Sequence, residues 1–195
     1  MQTMIKRFAF LVLPVALLLA ACETAAPVQK LPEITFGHLP PIKLNVAKIE
    51  VVSRYQPPMK APNVDHLFPT PPLAAIRKWA ADRLRAVGSS GTAQLVIDDA
   101  SIIETPLERK KGFTATFTKQ QEARYDLKAE VSLDVADGIK RGRAAARAAR
   151  FVTTREDVTL NQRDRIWFEQ TELLMNEFNA EMEKNIRQYL GAWLR

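Results

Sequence analysis

The stretch Tyr125–Val135 constrains the fold of this chain more than any other. Tyr125, Leu127, Ala129, Val131, Leu133 and Val135 alternate without interruption with Asp126, Lys128, Glu130, Ser132 and Asp134. Successive side chains of a strand point to opposite faces, so a strict period of two predicts a half-buried antiparallel strand with one wet face. The segment DGIKRG that follows supplies a turn, and RAAARAARFVTTRE returns beside it. The alanines of that return also permit a helix, but the neighbouring strand and Phe151-Val152-Thr153-Thr154 favour a hairpin. Lys140, Arg141, Arg143, Arg147 and Arg150 lie on and beside this hairpin. Alternation puts Arg143 and Arg147 on one side and Arg150 on the other. Asp126, Glu130 and Asp134 are then placed to pair with Arg143 and Arg147 across the strands, at ~0.2–1 kcal/mol per pair.

The remaining elements follow from periodicity and punctuation. Ten of the twelve prolines fall between Pro27 and Pro72, which disfavours helix in that part of the chain. Ile42, Leu44 and Val46 alternate before the phase slips to Ile49 and Val51, which predicts a first strand with a bulge. After a Pro-rich loop, Leu73, Ile76, Ala80, Leu84 and Val87 recur at helical spacing, with Thr70 as a cap candidate and Gly88 as the stop. TAQLVIDDASIIET reads as one strand closed by Pro106. Trp167, Leu174, Phe178, Met182, Ile186, Tyr189 and Trp193 mark a final helix with an acid-rich start at Asn161 and Asp164. Its stripe suits helix-on-sheet packing, a dimer seam or a lipid-facing surface, of which the first is the ordinary use. The order β-α-β-β-β-α predicts an α+β fold, a small two-layer sandwich whose mainly antiparallel sheet is covered by two helices.

Lys6 and Arg7 precede the apolar run FAFLVLPVALLLA, which is followed by small residues and by Cys22, the single cysteine of the 195-residue chain. That is the order of a secretory signal, too short for a confident membrane span of ~20 residues. Its end, Leu19-Ala20-Ala21-Cys22, resembles the lipobox of bacterial lipoproteins. The resemblance implies that Cys22 is acylated and becomes the mature N-terminus, and Glu23 in place of Asp implies the outer membrane, facing the periplasm. The expected organisation is therefore a signal peptide over 1–21, a Pro-rich tether over 22–41 and a periplasmic domain over 42–195. Loss of Lys6 and Arg7 lowers the formal charge from +6 to +4, and a lone cysteine leaves the domain to hold itself together by packing without an internal disulfide.

In topology and lipobox the chain is similar to envelope lipoproteins of the ABC-transport auxiliary type and to the lipopolysaccharide-assembly lipoprotein. It also resembles a group of Gram-negative lipoproteins through its PPLAAIRKWAADRL helix and FTKQQEARYD strand entry. Such likeness implies an accessory or binding role, and fold alone does not transfer function.

Chemistry-bearing motifs are sparse. His38 and His66 lie in Pro-rich segments without a third ligand nearby, no nucleophile elbow, Walker or dinucleotide glycine pattern occurs, and Asp98 and Asp99 are adjacent, so in a regular strand they point apart. The expectation is therefore a protein with no catalytic residues, metal site or cofactor. One segment, LERKKGFTATFTKQQ, combines Arg109, Lys110 and Lys111 with Phe113 and Phe117 in a long connection. With the phenylalanines exposed it suits anionic lipid or a protein groove. With them folded onto the sheet it is core with a solvated rim. Nucleic acid is not an expected partner. The leading reading is a membrane-anchored accessory or binding subunit of an envelope transport or assembly system with a protein partner. Its rivals are a direct lipid- or glycan-binding envelope protein and a hydrolase acting on cell wall or lipid.

Overall fold

The computed structural model describes residues 30–108 and 120–195. Along these residues run β1 (Ile42–Leu44), β2 (Lys48–Ser53), α1 (Pro72–Arg83), β3 (Leu84–Ala86), β4 (Thr92–Asp99), β5 (Ile102–Pro106), β6 (Gln121–Ala136), β7 (Arg141–Arg155) and α2 (Leu160–Tyr189). The fold is α+β. Its spine is β6, the strand announced by strict alternation. One edge of β6 pairs with β4 and then β5, and the other pairs with β7 over nearly its whole length, all antiparallel. Outside β4 lies β2, in parallel, joined to it by a crossover that includes α1.

The alternation of β6 sorts the two faces. Tyr125, Leu127, Ala129, Val131, Leu133 and Val135 are buried in one hydrophobic cluster with Ile76 and Trp79 of α1 and Leu174, Phe178 and Met182 of α2. The opposite face carries Lys128, Glu130 and Asp134, and β7 answers with Arg147 at 2.8 Å from Glu130 and Arg143 at 3.7 Å from Asp134. Arg150 turns to the helix side and meets Glu177. The hairpin reading of residues 141–155 holds because each alanine on the inner face leaves room for α2. At the turn, Asp137 Oδ1 accepts from the amides of Ile139 and Lys140, and Gly138 takes a φ of 88°. Among the described residues β7 pairs with β6 alone and has no strand on its outer edge. The Ala145 carbonyl on that edge accepts from Asn185 Nδ2 at 2.7 Å.

Four expectations are corrected. The slip between Val46 and Ile49 is not a bulge but a passage from one sheet to another, because β1 pairs with β3 and β2 with β4. The segment 92–105 is two strands, β4 and β5, broken at Ala100–Ser101. α1 ends at Arg83 instead of Gly88: Leu84–Ala86 leaves the helix to pair in parallel with Ile42–Leu44, exchanging helical bonds for inter-strand ones. Gly88 is then a close-approach residue, since a Cβ there would lie 2.6 Å from the backbone carbon of Asn45. Neither helix begins as expected, and the first turn of α2 holds no acidic residue. Thr70 gives way to Pro71, and α2 starts at Thr159, whose side chain accepts from the Gln162 amide while the Gln162 side chain accepts from the Thr159 amide.

The packed unit begins at Leu31. Residues 31–41, expected within the tether, instead supply Ile34 and Phe36 to the core, and Asp82 of α1 fastens them by accepting from the Phe36 amide at 2.9 Å and the Thr35 hydroxyl at 2.6 Å. Of the predicted α2 stripe, Trp167, Leu174, Phe178, Met182, Ile186 and Trp193 are buried and Tyr189 is exposed.

Candidate functional site

Cys22 and the segment Arg109, Lys110, Lys111, Phe113 and Phe117 lie outside the described residues. Among the described residues no group of three His, Cys, Asp or Glu side chains is placed to hold a metal ion, and no helix is long and apolar enough to cross a membrane. His38 stacks beside Phe36 with ring centroids 6.4 Å apart. Asp98 and Asp99 do not point apart as a regular strand requires. The register of β4 on β6 shifts between Ile97 and Asp99, and both carboxylates reach partners on the outer face. Asp98 takes Arg54 at 2.9 Å and the Ser132 hydroxyl at 3.2 Å, while Asp99 takes Lys128 at 3.1 Å. Each acid therefore has its own cation and the two form no shared-proton pair. Lys128 is in turn held above its ordinary range by hydrogen bonds to Glu130 and Asp99.

Two phenols are placed differently. Tyr125 packs edge-on against Trp167 with centroids 5.2 Å apart and donates to Glu104 Oε1 at 2.9 Å. Burial first, and the Glu104 carboxylate second, push its pKa up to about 12. Tyr55 donates to buried Asp65 at 3.1 Å and is raised for the same two reasons. An unfolded phenol ionises near pH ~10, so the stability these groups confer is whole below that pH and is lost as pH climbs through the folded value. Tyr125→Phe should therefore flatten the decline of the urea midpoint between pH 10 and 12. An unaltered decline would contradict this origin.

A strongly charged concave feature lies elsewhere. A cavity of about 250 Å³ opens between the chain entering β1, the last residue of α1 and the C-terminal half of α2. Ile42, Ile186 and Leu194 form its apolar wall, and Lys43, Arg187 and Arg195 stand around it. Between them is Arg83, only 1% exposed. Its Nη2 donates to Glu183 Oε2 at 2.5 Å and its Nη1 to the Pro40 carbonyl. The second Glu183 oxygen accepts from Arg187 Nη2 at 2.6 Å, one helical turn on. One carboxylate thus sits between two guanidinium groups, tying the 40–41 segment, α1 and α2 together.

Arg83 is the final residue of α1, and its buried side chain reaches Glu183 of α2. The far wall is fixed by the last residues of the chain, which add beside β1: the Asn45 amide donates to the Trp193 carbonyl at 2.7 Å and the Arg195 amide to the Lys43 carbonyl at 3.1 Å. None of Lys43, Arg83, Glu183 and Arg187 was singled out by sequence patterns. Glu183 and Arg187 form an i,i+4 pair readable on the helix, but a partner 100 positions away carries no local signal.

Arg83 and Arg187 share one carboxylate beside an aliphatic wall, with Lys43 and Arg195 nearby, an arrangement suited to binding and holding. Along its open side the cavity continues onto a groove bordered by Leu39, Ala180 and Lys184.

No family model matches the chain, and no curated protein matches it. Among solved structures, the crystal structure of the rare lipoprotein B from Shewanella oneidensis is similar over 70% of this chain and 92% of that one, at 13% sequence identity and a TM-score of 0.35.

Proposed function

We propose that this chain is a lipid-anchored, non-catalytic binding domain of the bacterial envelope, held on the periplasmic face of the outer membrane and serving as an accessory subunit of a transport or assembly system. The observation that carries the reading is Leu19-Ala20-Ala21-Cys22 at the end of a charged-then-apolar leader. Each buried methylene of an acyl chain contributes ~0.8 kcal/mol, one chain gives reversible binding and two or more give stable anchoring. A folded unit starting at Leu31 leaves a short tether after Cys22, so the domain would work close to the bilayer.

The test is Cys22→Ser in cells. The expected result is loss of the acyl mass from the mature product and loss of membrane retention on fractionation. Full retention with an unmodified side chain at that position would overturn the anchor. The second reading, direct contact with anionic lipid or glycan through Arg109, Lys110, Lys111, Phe113 and Phe117, rests on the cationic and aromatic run in the sequence. With the soluble domain lacking residues 1–22, Phe113→Ala/Phe117→Ala would then weaken co-sedimentation with anionic vesicles, and equal co-sedimentation removes the segment from that role.

A further inference from the structure

We propose that the cavity beside Arg83 is a binding site for the anionic end of a single-chain amphiphile, an alkyl phosphate or alkyl carboxylate whose head lies between Lys43 and Arg187 and whose first carbons lie on Leu39 and Leu194.

Charge is the first argument. Both oxygens of Glu183 are already taken, one by Arg83 and one by Arg187. Lys43 has no acidic side-chain partner among the described residues. Leaving Arg195 aside, the lining therefore holds three cations against one carboxylate. A surplus of like charge at the mouth of a cleft favours an incoming anion there, more strongly at low salt than at high. Arg187 commits only Nη2 to Glu183, and a guanidinium presents a planar fork matched to phosphate and carboxylate.

Size and polarity are the second argument. At ~30 Å³ per water, 250 Å³ is the space of about eight waters, which admits a head group and a few carbons. The accessible aliphatic part of the wall is Leu39 and Leu194, both partly buried, with Ile42 and Ile186 packed behind them. A bare inorganic anion would leave that wall wet, and a neutral alkyl chain would leave the cations unanswered. The groove bordered by Leu39 and Ala180 gives a longer tail an exit along α2. Arg83 is a positioning residue here, since its two terminal nitrogens are spent on Pro40 and Glu183 and fix the carboxylate that in turn aims Arg187.

The proposal stands apart from the anchor: it concerns the folded unit, and variants at Lys43 and Arg187 do not touch Cys22. The experiment is calorimetric titration of the purified full chain in non-ionic detergent with hexyl phosphate and hexanoate, set against inorganic phosphate and 1-hexanol. The expected result is one site for the alkyl anions, at least tenfold tighter than for inorganic phosphate or hexanol. Lys43→Ala/Arg187→Ala should weaken it at least tenfold, with Lys184→Ala on the outer groove as the control that leaves it unchanged. Both cations replaced are exposed, and an unchanged thermal midpoint in the absence of ligand confirms an intact fold. Competition by phosphatidylglycerol vesicles would place the natural anion in a bilayer, and its absence would place it in a free amphiphile. No saturable binding of either alkyl anion, equal binding of hexanol, equal binding of inorganic phosphate, or undiminished binding by the double variant would each overturn the site.

Discussion

Glu183→Gln will destabilise the domain by about 3 kcal/mol or more, and it will do so more severely than Arg83→Met. The two substitutions break the same bond at 2.5 Å, but they strand different charges. Arg83 has a side chain 2% exposed, whereas that of Glu183 is 28% exposed. Removing the carboxylate leaves a guanidinium buried without a counter-charge, a change that costs ~3–5 kcal/mol. Removing the guanidinium leaves a carboxylate that still touches water and still holds Arg187 at 2.6 Å. Methionine fills much of the vacated space, so the cost falls to about 1–2 kcal/mol, chiefly the bond to the Pro40 carbonyl. Urea melts of the two variants in one buffer decide the matter. If Arg83→Met proves the more damaging, packing and not charge is what this residue provides.

Trp79→Ala should cost about 3–5 kcal/mol. Trp79 is fully buried, meets Phe178 edge to face with centroids 5.0 Å apart and donates its ring nitrogen to Asn179 Oδ1 at 2.8 Å. With the Arg83–Glu183 pair it joins α1 to α2, and each helix is also packed against strands, which limits collapse into the space. Trp79→Phe keeps a ring against Phe178 and loses the hydrogen bond and part of the volume, so its penalty should be roughly half as large. Denaturant midpoints should order wild type, Phe and Ala with an unchanged slope. A penalty below about 1 kcal/mol for the alanine variant would mean that the two helices are held apart from this contact.

What the sequence discloses here is set by how local the cause is. β6 is legible because its burial alternates along the chain itself, and β7 because its register on β6 needs only a short turn. β3 is not legible: Leu84 and Val87 continue a helical stripe, and only the distant Ile42–Leu44 explains why the chain leaves the helix. The same holds for residues 31–41, whose prolines read as linker while Ile34 and Phe36 find their core partners far along the chain. The capping box at Thr159 and Gln162 is present in the letters, but Asn161 and Asp164 offer a competing start two to five residues later. The cavity combines Lys43, Arg83 and Arg187 from three separate parts of the chain, and three surface-type residues so widely spaced carry no motif.

The outer edge of β7 has a consequence for life at high local density. A long regular strand with unpaired backbone groups invites an identical strand to dock against it and begin a fibre. Here the spacing of two arginines opposes that. An antiparallel pairing of two copies centred on Ala145 would set Arg143 of each directly against Arg147 of the other, and one centred on Arg147 would set that residue against itself. Those two registers are thus disfavoured by a four-residue interval, and Asn185 already occupies the Ala145 carbonyl that such a pairing would use.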